Sequence, residues 1–118
     1  GVTVLTSLTK KDLMLVGIEK NVQEQVVSLA LLAKKSGLDG VVCSAEETKK
    51  LRSIIPRNFC LVTPGIRRPE DSRNDQKRTV GPREAILSGS DYLVVGRPIT
   101  LADSPASMLS EFNLAIAP

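Results

Sequence analysis

The sequence has no histidine and no tryptophan, and aromatic residues make up only 3% of its 118 residues. Without histidine, the chain cannot supply imidazole ligands to zinc or the base of a Ser-His-Asp triad. Because aromatic rings for base stacking are scarce, the net charge of +3 does not indicate a nucleic acid partner. No apolar run approaches the roughly 18 residues of a membrane span, and no signal peptide is recognisable, so no membrane partner is expected.

Only two cysteines are present, Cys43 and Cys60, and each lies inside an apolar run. We interpret them as buried free thiols in a reducing cytoplasm. The sequence has no initiator methionine and begins at Gly1 with a strand-like run. We interpret this start as that of a processed, cleaved or partial chain.

Four short apolar runs predict buried strands, at residues 2–6, 40–43, 59–62 and 92–95. Three of these runs are rich in β-branched residues. None alternates regularly with polar residues, which is typical of parallel strands covered on both faces.

Helical patterns with start and stop signals lie in the three gaps between these strands and after the last strand. Lys10, Lys11 and Asp12, by contrast, are expected in a solvated loop. The first long helix has an apolar face of Val22, Val26, Leu29, Ala30 and Ala33. The start and stop signals are Asn21 with Glu24 and Gly37, then Ser44 with Glu47 and Pro56, then Pro82 and Gly89, and finally Ser104 with Pro105 and Phe112.

The order of elements is therefore β-α-β-α-β-α-β-α, which predicts an α/β fold with a parallel sheet and helices outside it. An eightfold (β/α)₈ barrel, the TIM barrel, needs about 250 residues and at least about 200. We expect residues 1–118 to form the second half of a single barrel domain. The two open edges of its sheet would require neighbours from a first half-barrel. An open four-stranded α/β sheet is the alternative.

Two strands end in a glycine turn that leads to an arginine. Gly96 and Arg97 follow the last strand, and Gly65 and Arg67 follow the strand before it. Glycine lets an anion approach the backbone N–H, and the arginine fork matches phosphate oxygens. Phosphate often binds after the seventh and eighth strands of a barrel. The pair of turns predicts a phosphate monoester site, with plain turns and solvated arginines as the alternative.

The polar stretch 66–79 is too long for an ordinary βα loop, and such loops are often active-site lids. It also carries much of the excess positive charge. Four further basic residues, Arg68, Arg73, Lys77 and Arg78, add charge to this loop.

Three segments in this part of the chain resemble a known family in both order and spacing. They are Thr-Pro-Gly-Ile-Arg at 63–67, Asp-Gln at 75–76 and Val-Gly-Arg-Pro-Ile-Thr at 95–100. Together they resemble the C-terminal signature of bacterial orotidine 5′-phosphate decarboxylases, as do residues 2–7 and 37–44. The resemblance covers essentially the whole chain and implies that the four strands are the fifth to eighth of the barrel.

The resemblance also implies roles for five residues. Thr6 would hydrogen-bond the pyrimidine ring, and Arg67 would lie beside the phosphate and anchor the loop. Gln76 would fold over and contact the nucleotide. Gly96 would donate its backbone N–H to the phosphate, and Arg97 its guanidinium.

The reaction implied by the resemblance is the decarboxylation of orotidine 5′-monophosphate to uridine 5′-monophosphate, a lyase step of de novo pyrimidine biosynthesis. The family uses no cofactor; a lysine within an Asp-Lys-Asp network protonates the ring carbanion at C6. Its Asp-x-Lys-x-x-Asp motif belongs to the third strand and does not occur here. We therefore expect no catalytic residue and no metal in this chain, and no activity from it alone.

The expected partners are the nucleotide, the N-terminal half of the barrel and a second subunit in a cytoplasmic homodimer. Two alternatives to a decarboxylase are a non-catalytic half-barrel that binds nucleotide phosphate and another phosphate-binding barrel lyase. Thr6 and Gln76 at their family positions weigh against the second alternative.

Overall fold

The computed structural model describes all residues from Gly1 to Pro118. It contains six helices and three strands. In chain order these are α1 (Lys10–Leu15), α2 (Val22–Lys35), β1 (Gly40–Val42), α3 (Ala45–Arg52), β2 (Cys60–Thr63), α4 (Pro82–Ser88), β3 (Tyr92–Leu93), α5 (Arg97–Thr100) and α6 (Pro105–Ile116).

The three strands form a parallel sheet in the order β1-β2-β3. Gly40 of β1 lies opposite Cys60 of β2. Glycine is required there because a Cβ on residue 40 would clash with the Cys60 carbonyl. The last three predicted strands are thus confirmed, with their ends shifted by one or two residues.

The first predicted strand, by contrast, does not form as a regular strand. Val2 makes a single parallel bridge to Val42 of β1. Beyond it, the carbonyls of Val4 and Leu5 accept hydrogen bonds from the Arg78 guanidinium, both at 3.0 Å. Successive carbonyls of a regular strand point in opposite directions, so a donor shared by both shows that the chain is not a regular strand here. The segment still lies beside β1, at the edge where the sequence placed it.

Most of the predicted helix ends are confirmed. The Asn21 side chain accepts the Glu24 N–H at 2.9 Å, and the Glu24 carboxylate accepts the Asn21 N–H at 3.1 Å, so α2 begins with a complete capping box. Gly37 follows its end with a φ of +81°. Pro82 occupies the first turn of α4, and Gly89 ends that helix with a φ of +112°. Such positive φ values favour glycine.

The capping box predicted for α3 is wrong in one partner. The Ser44 side chain accepts the Glu46 N–H at 3.3 Å and therefore caps the helix. The Glu47 carboxylate forms its ion pair with Arg78 from the loop 66–79, and no complete capping box forms.

The loop predicted at residues 10–12 is also wrong, because these residues begin α1. The Asp12 carboxylate accepts the Thr9 N–H at 2.7 Å and the Thr9 hydroxyl at 2.6 Å, which caps the helix. Lys10 and Lys11 are exposed, as the sequence predicts.

Two apolar clusters fill the space between sheet and helices. The larger joins the predicted apolar face of α2 to α3 and the first two strands, with Val26, Ala30, Val41, Leu51 and Leu61 among its buried members. The smaller joins α4 and α6 beside β3 and contains Ala45, Ile66, Ala85 and Phe112. Helix α6 continues for one turn past Phe112, the residue at which the sequence analysis ended it.

Arg52 connects several elements at the amino ends of the strands. Its guanidinium donates to the carbonyls of Gly89, at 2.9 Å, and Phe59, at 2.8 Å, and forms an ion pair with Asp91. The Asp91 carboxylate also accepts the Leu61 N–H at 2.7 Å. These bonds tie α3 to the starts of β2 and β3, on the side of the sheet away from the predicted site.

Candidate functional site

A cleft of about 340 Å³ opens at the carboxyl ends of the strands. Its lining includes all five residues predicted to bind ligand, namely Thr6, Arg67, Gln76, Gly96 and Arg97. They come from three segments that are distant in sequence. They converge because parallel strands end at the same edge of the sheet, where the loops that follow them meet.

Arg67 is one of two guanidinium groups at this cleft, and it is only 7% exposed. Its Nε donates to the Ser72 carbonyl at 3.0 Å, and its Nη1 donates to the Ile66 carbonyl at 2.7 Å. Burial lowers the pKa of Arg67, and the positive charge of Arg97 lowers it further. Both guanidinium groups line the same cleft, where an anion would relieve their repulsion.

Arg97 is the more accessible of the two, with 40% of its side chain exposed. Its guanidinium forms an ion pair with Asp75 of the loop 66–79. The hydrogen bond from Arg97 holds the pKa of the Asp75 carboxyl below its usual value. Arg97 thus already holds an acidic group at the mouth of the cleft.

Gly96 presents bare backbone to the same cleft. A Cβ at this position would meet no atom within 4 Å. The Gly96 N–H donates to no acceptor within the protein. A donor in open space beside Arg97 is the arrangement that the sequence analysis expected for an anion site.

The loop 66–79 lies over the cleft. The hydroxyl of Thr6, a residue only 6% exposed, donates to the side-chain oxygen of Gln76. The Lys77 N–H donates to the Thr6 carbonyl at 3.3 Å. Gln76 also donates to Asp75 at 3.2 Å. The loop therefore contacts the N-terminal segment across the cleft, and Thr6 and Gln76 form that contact.

The two ends of the loop meet at its base. The Arg67 N–H donates to the Val80 carbonyl at 3.1 Å. Gly65 has a φ of +76°, and a Cβ there would lie 2.8 Å from the Arg78 carbonyl. Glycine is therefore required where the loop leaves β2, because the returning chain passes against it.

A second feature of the base, the buried pair of Glu47 and Arg78, was not predicted from the sequence. Arg78 reaches across to α3 and pairs with Glu47. Burial raises the pKa of Glu47, and the charge of Arg78 only partly offsets that effect. Burial is the larger effect because it removes the carboxylate from water, which favours its neutral form. The sequence offered only a weak signal for this pair, since a glutamate three residues after Ser44 fits a capping role.

The other extra charges of the loop are mostly paired as well. Arg68 forms ion pairs with Asp71, at 2.8 Å, and with Glu111 of α6, at 2.7 Å. Its guanidinium also lies 5.4 Å from the ring centre of Phe112. Lys77 lies 3.9 Å from Asp12. Arg73 alone among the four additional basic residues forms no ion pair.

The cleft lining contains no lysine, aspartate or glutamate. Cys43 lines it, but burial and the charge of Glu47 raise the pKa of this thiol to about 12, so it is a poor nucleophile. Nowhere do three histidine, cysteine, aspartate or glutamate side chains gather as a metal site. None of the helices has both the length and the apolar character needed to cross a membrane.

Comparisons with known proteins agree with this geometry. A sequence model described as the orotidine 5′-phosphate decarboxylase / HUMPS family matches residues 1–112. Orotidine 5′-phosphate decarboxylases of Aliivibrio salmonicida and Pseudoalteromonas translucida are each 54% identical to the chain, over 100% and 98% of its residues. The chain spans about half the length of these curated relatives, and it corresponds to their C-terminal half.

Solved structures show the same partial match. The crystal structure of orotidine 5′-phosphate decarboxylase from Lactobacillus acidophilus is 41% identical, with a TM-score of 0.82 over 99% of this chain and 48% of the other. The enzyme from Pyrococcus horikoshii, at 19% identity and a TM-score of 0.64, shares the fold over 80% of this chain. These neighbours are TIM barrels, so the parallel sheet described above is about half of such a barrel. The chain belongs to the orotidine 5′-phosphate decarboxylase / HUMPS family.

Proposed function

We propose that this chain is the phosphate- and pyrimidine-binding half of an enzyme that decarboxylates orotidine 5′-monophosphate to uridine 5′-monophosphate. The observation that carries the proposal is the convergence of two guanidinium groups and a free backbone N–H on one cleft. A dianionic phosphate monoester matches this set of donors in charge and geometry.

In this proposal each of the five residues has a separate task. Arg67 and Arg97 neutralise the phosphate, and the Gly96 N–H donates to one of its oxygens. Thr6 hydrogen-bonds the pyrimidine ring, and Gln76 closes over the nucleotide from the loop. The contact between Thr6 and Gln76 supports this assignment because it already joins the two segments across the cleft.

The catalytic groups would come from the rest of the enzyme. No side chain in the cleft lining has a carboxylate or an amine with which to move a proton to the ring. The chemistry therefore requires the half of the barrel that this chain does not match in its relatives. We expect that half to supply the lysine and aspartates of the family's network, and we expect the reaction to need no cofactor.

The open faces of the half-barrel suit that missing partner. An apolar groove of about 310 Å³ lies along the outer edge of β3, lined by Tyr92, Leu93, Phe112 and Ile116 among others. Tyr92 is 66% exposed, and at the opposite edge Val2 is 63% exposed. Strands and helices of an N-terminal half would cover both edges and close the ring. We also propose that the closed barrel forms a homodimer in the cytoplasm, where the thiols of Cys43 and Cys60 stay free.

The test uses a hybrid barrel, in which the unmatched half of the Aliivibrio salmonicida relative is joined to residues 1–118. We expect the hybrid to convert orotidine 5′-monophosphate and the chain alone to have no turnover. Both proteins would also be titrated with uridine 5′-monophosphate and with uridine. A hybrid that folds but neither turns over nor prefers the phosphorylated ligand would refute the proposal. Turnover by residues 1–118 alone would contradict the assignment of the catalytic groups to the other half.

The description of the family supports one second candidate, since it names HUMPS alongside the decarboxylase. The cleft would then bind the phosphate of a different small substrate in a related barrel lyase. Competition separates the two: a decarboxylase site prefers uridine 5′-monophosphate over ribose 5-phosphate, because only the nucleotide offers a ring to Thr6. Equal affinity for the two ligands would favour the second candidate.

A further inference from the structure

The buried pair of Arg78 and Glu47 lies just behind the cleft and contributes no atom to its lining. Both side chains are almost entirely shielded from solvent, with 12% of Arg78 and 5% of Glu47 exposed. One side of the Arg78 guanidinium pairs with Glu47. The other side, at Nη2, donates to the carbonyls of Val4 and Leu5, both at 3.0 Å.

The position of these bonds in the chain is informative. Val4 and Leu5 directly precede Thr6, and Arg78 lies two residues after Gln76. The guanidinium therefore joins the two backbone segments that carry the Thr6 and Gln76 contact over the cleft. Glu47 holds the guanidinium in place from α3, a helix that belongs to the packed body of the fold.

The geometry of the pair is unfavourable for a contact that serves only to stabilise the fold. Glu47 Oε2 and Arg78 Nε are both buried without a hydrogen-bond partner. Buried ion pairs often contribute no more stability than apolar residues of the same size, because desolvation offsets their attraction. Burial indeed prevails over the charge of Arg78 in setting the pKa of Glu47. What apolar residues could not do is bond the carbonyls of the opposite segment.

We propose that Arg78 and Glu47 are a positioning pair that holds the loop 66–79 closed over a bound phosphate. The inference rests on the proposed function, since it assigns the pair to the same cleft. Loss of the pair would populate open positions of the loop, and the apparent affinity for a phosphorylated ligand falls with the closed fraction. Uridine still offers its ring to Thr6 but lacks the phosphate that the closed loop covers, so it should lose less affinity than the nucleotide.

The experiment measures dissociation constants of uridine 5′-monophosphate and uridine for the hybrid barrel and for its Arg78→Met variant. We expect the nucleotide to bind about ten-fold more weakly and uridine to change by less than about three-fold. Arg78→Lys, which keeps the charge but can bond fewer partners at once, should restore part of the nucleotide affinity. Arg73→Met is the matched control, because it removes an exposed positive charge from the same loop without breaking an ion pair.

If the pair were purely structural, Arg78→Met would lower the melting temperature and leave the ratio of nucleotide to uridine affinity unchanged. That result would overturn the inference. If Arg78→Met does not fold, the double variant Glu47→Met/Arg78→Met replaces the whole pair by apolar side chains and should fold. The double variant still lacks the bonds to the carbonyls of Val4 and Leu5. Its ratio of nucleotide affinity to uridine affinity must therefore fall as well. Failure of the proposed function is distinct, since the unsubstituted hybrid would then show no preference for the nucleotide.

Discussion

Replacement of Arg97 by alanine tests the phosphate site most directly. In the hybrid barrel, Arg97→Ala removes the more accessible guanidinium and leaves the buried Arg67 in place. It also releases Asp75, whose carboxylate then faces the phosphate without a counter-charge. Both effects weaken the binding of a dianion, and neither one involves the pyrimidine ring.

The expected magnitude follows from the type of contact. A hydrogen bond to a charged group contributes about 1.5 to 3 kcal/mol, which corresponds to roughly 10- to 150-fold in affinity. Arg97 is 40% exposed, so solvent screens part of this energy and the upper end is not expected. We predict that uridine 5′-monophosphate binds about 10- to 100-fold more weakly and that kcat/KM falls at least as far.

Titration calorimetry at one fixed salt concentration measures both ligands in the same buffer. Uridine should bind the Arg97→Ala variant as it binds the unsubstituted hybrid. Arg57→Ala is the control, because Arg57 is exposed and lies before β2, at the end of the sheet away from the cleft. A loss below about three-fold for the nucleotide, or an equal loss for uridine, would refute the assignment of Arg97 to the phosphate.

Three further predictions concern single side chains. Asp75→Asn should tighten nucleotide binding in calorimetry by less than about five-fold, because it frees Arg97 from an exposed ion pair; weaker binding would contradict this. Arg52→Met should lower the free energy of unfolding in urea by about 1 to 2 kcal/mol, because it leaves partly buried acceptors unpaired, while the ratio of nucleotide to uridine affinity stays constant. Glu47→Gln tests the raised pKa of Glu47. A raised pKa in the folded state means that the stability contributed by protonated Glu47 is complete below its ordinary pKa of 4.5. That contribution is lost as pH rises through the higher pKa of the folded protein. Relative to the unsubstituted protein, the glutamine variant should thus gain in stability from pH 4 to pH 8 in urea titrations, and a flat or falling difference would count against the burial argument.

Local chemistry explains why much of the fold could be predicted from the sequence. Asn21 with Glu24 marks the start of α2, and Gly89 marks the end of α4, because each satisfies backbone groups that lie within a few residues. The two glycine turns before Arg67 and Arg97 likewise follow from short segments. Parallel strands then bring those turns to the same edge without further information.

Long-range contacts explain two of the errors, whereas the missed start of α1 had a local signal in Thr9 and Asp12. Glu47 stands where a capping box requires a glutamate, but a partner 31 residues away takes its carboxylate instead. The same Arg78 bonds the successive carbonyls of Val4 and Leu5, where the sequence predicted a regular first strand. Both errors arise from Arg78, because local sequence patterns do not indicate which distant residues a loop arginine will contact.

The basic residues around the cleft divide into two groups with different physical tasks. Arg68 and Arg78 attach the loop 66–79 to α6 and to α3, through Glu111 and Glu47. Neither of these two guanidinium groups lines the cleft, and each is paired with a carboxylate of a neighbouring helix. The guanidinium groups of Arg67 and Arg97 line the cleft, where a phosphate would contact both and would replace Asp75 at Arg97.

The two groups should therefore respond differently to salt. Loss of a cleft arginine removes charge that the ligand experiences directly, so it should reduce the dependence of nucleotide affinity on ionic strength. Loss of a loop-attaching arginine changes how often the loop is closed, and the remaining affinity should keep its full salt dependence. Nucleotide titrations of Arg97→Ala and Arg78→Met at several salt concentrations would separate attraction of the phosphate from closure over it. Parallel salt curves for the two variants would mean that the division into two groups is wrong.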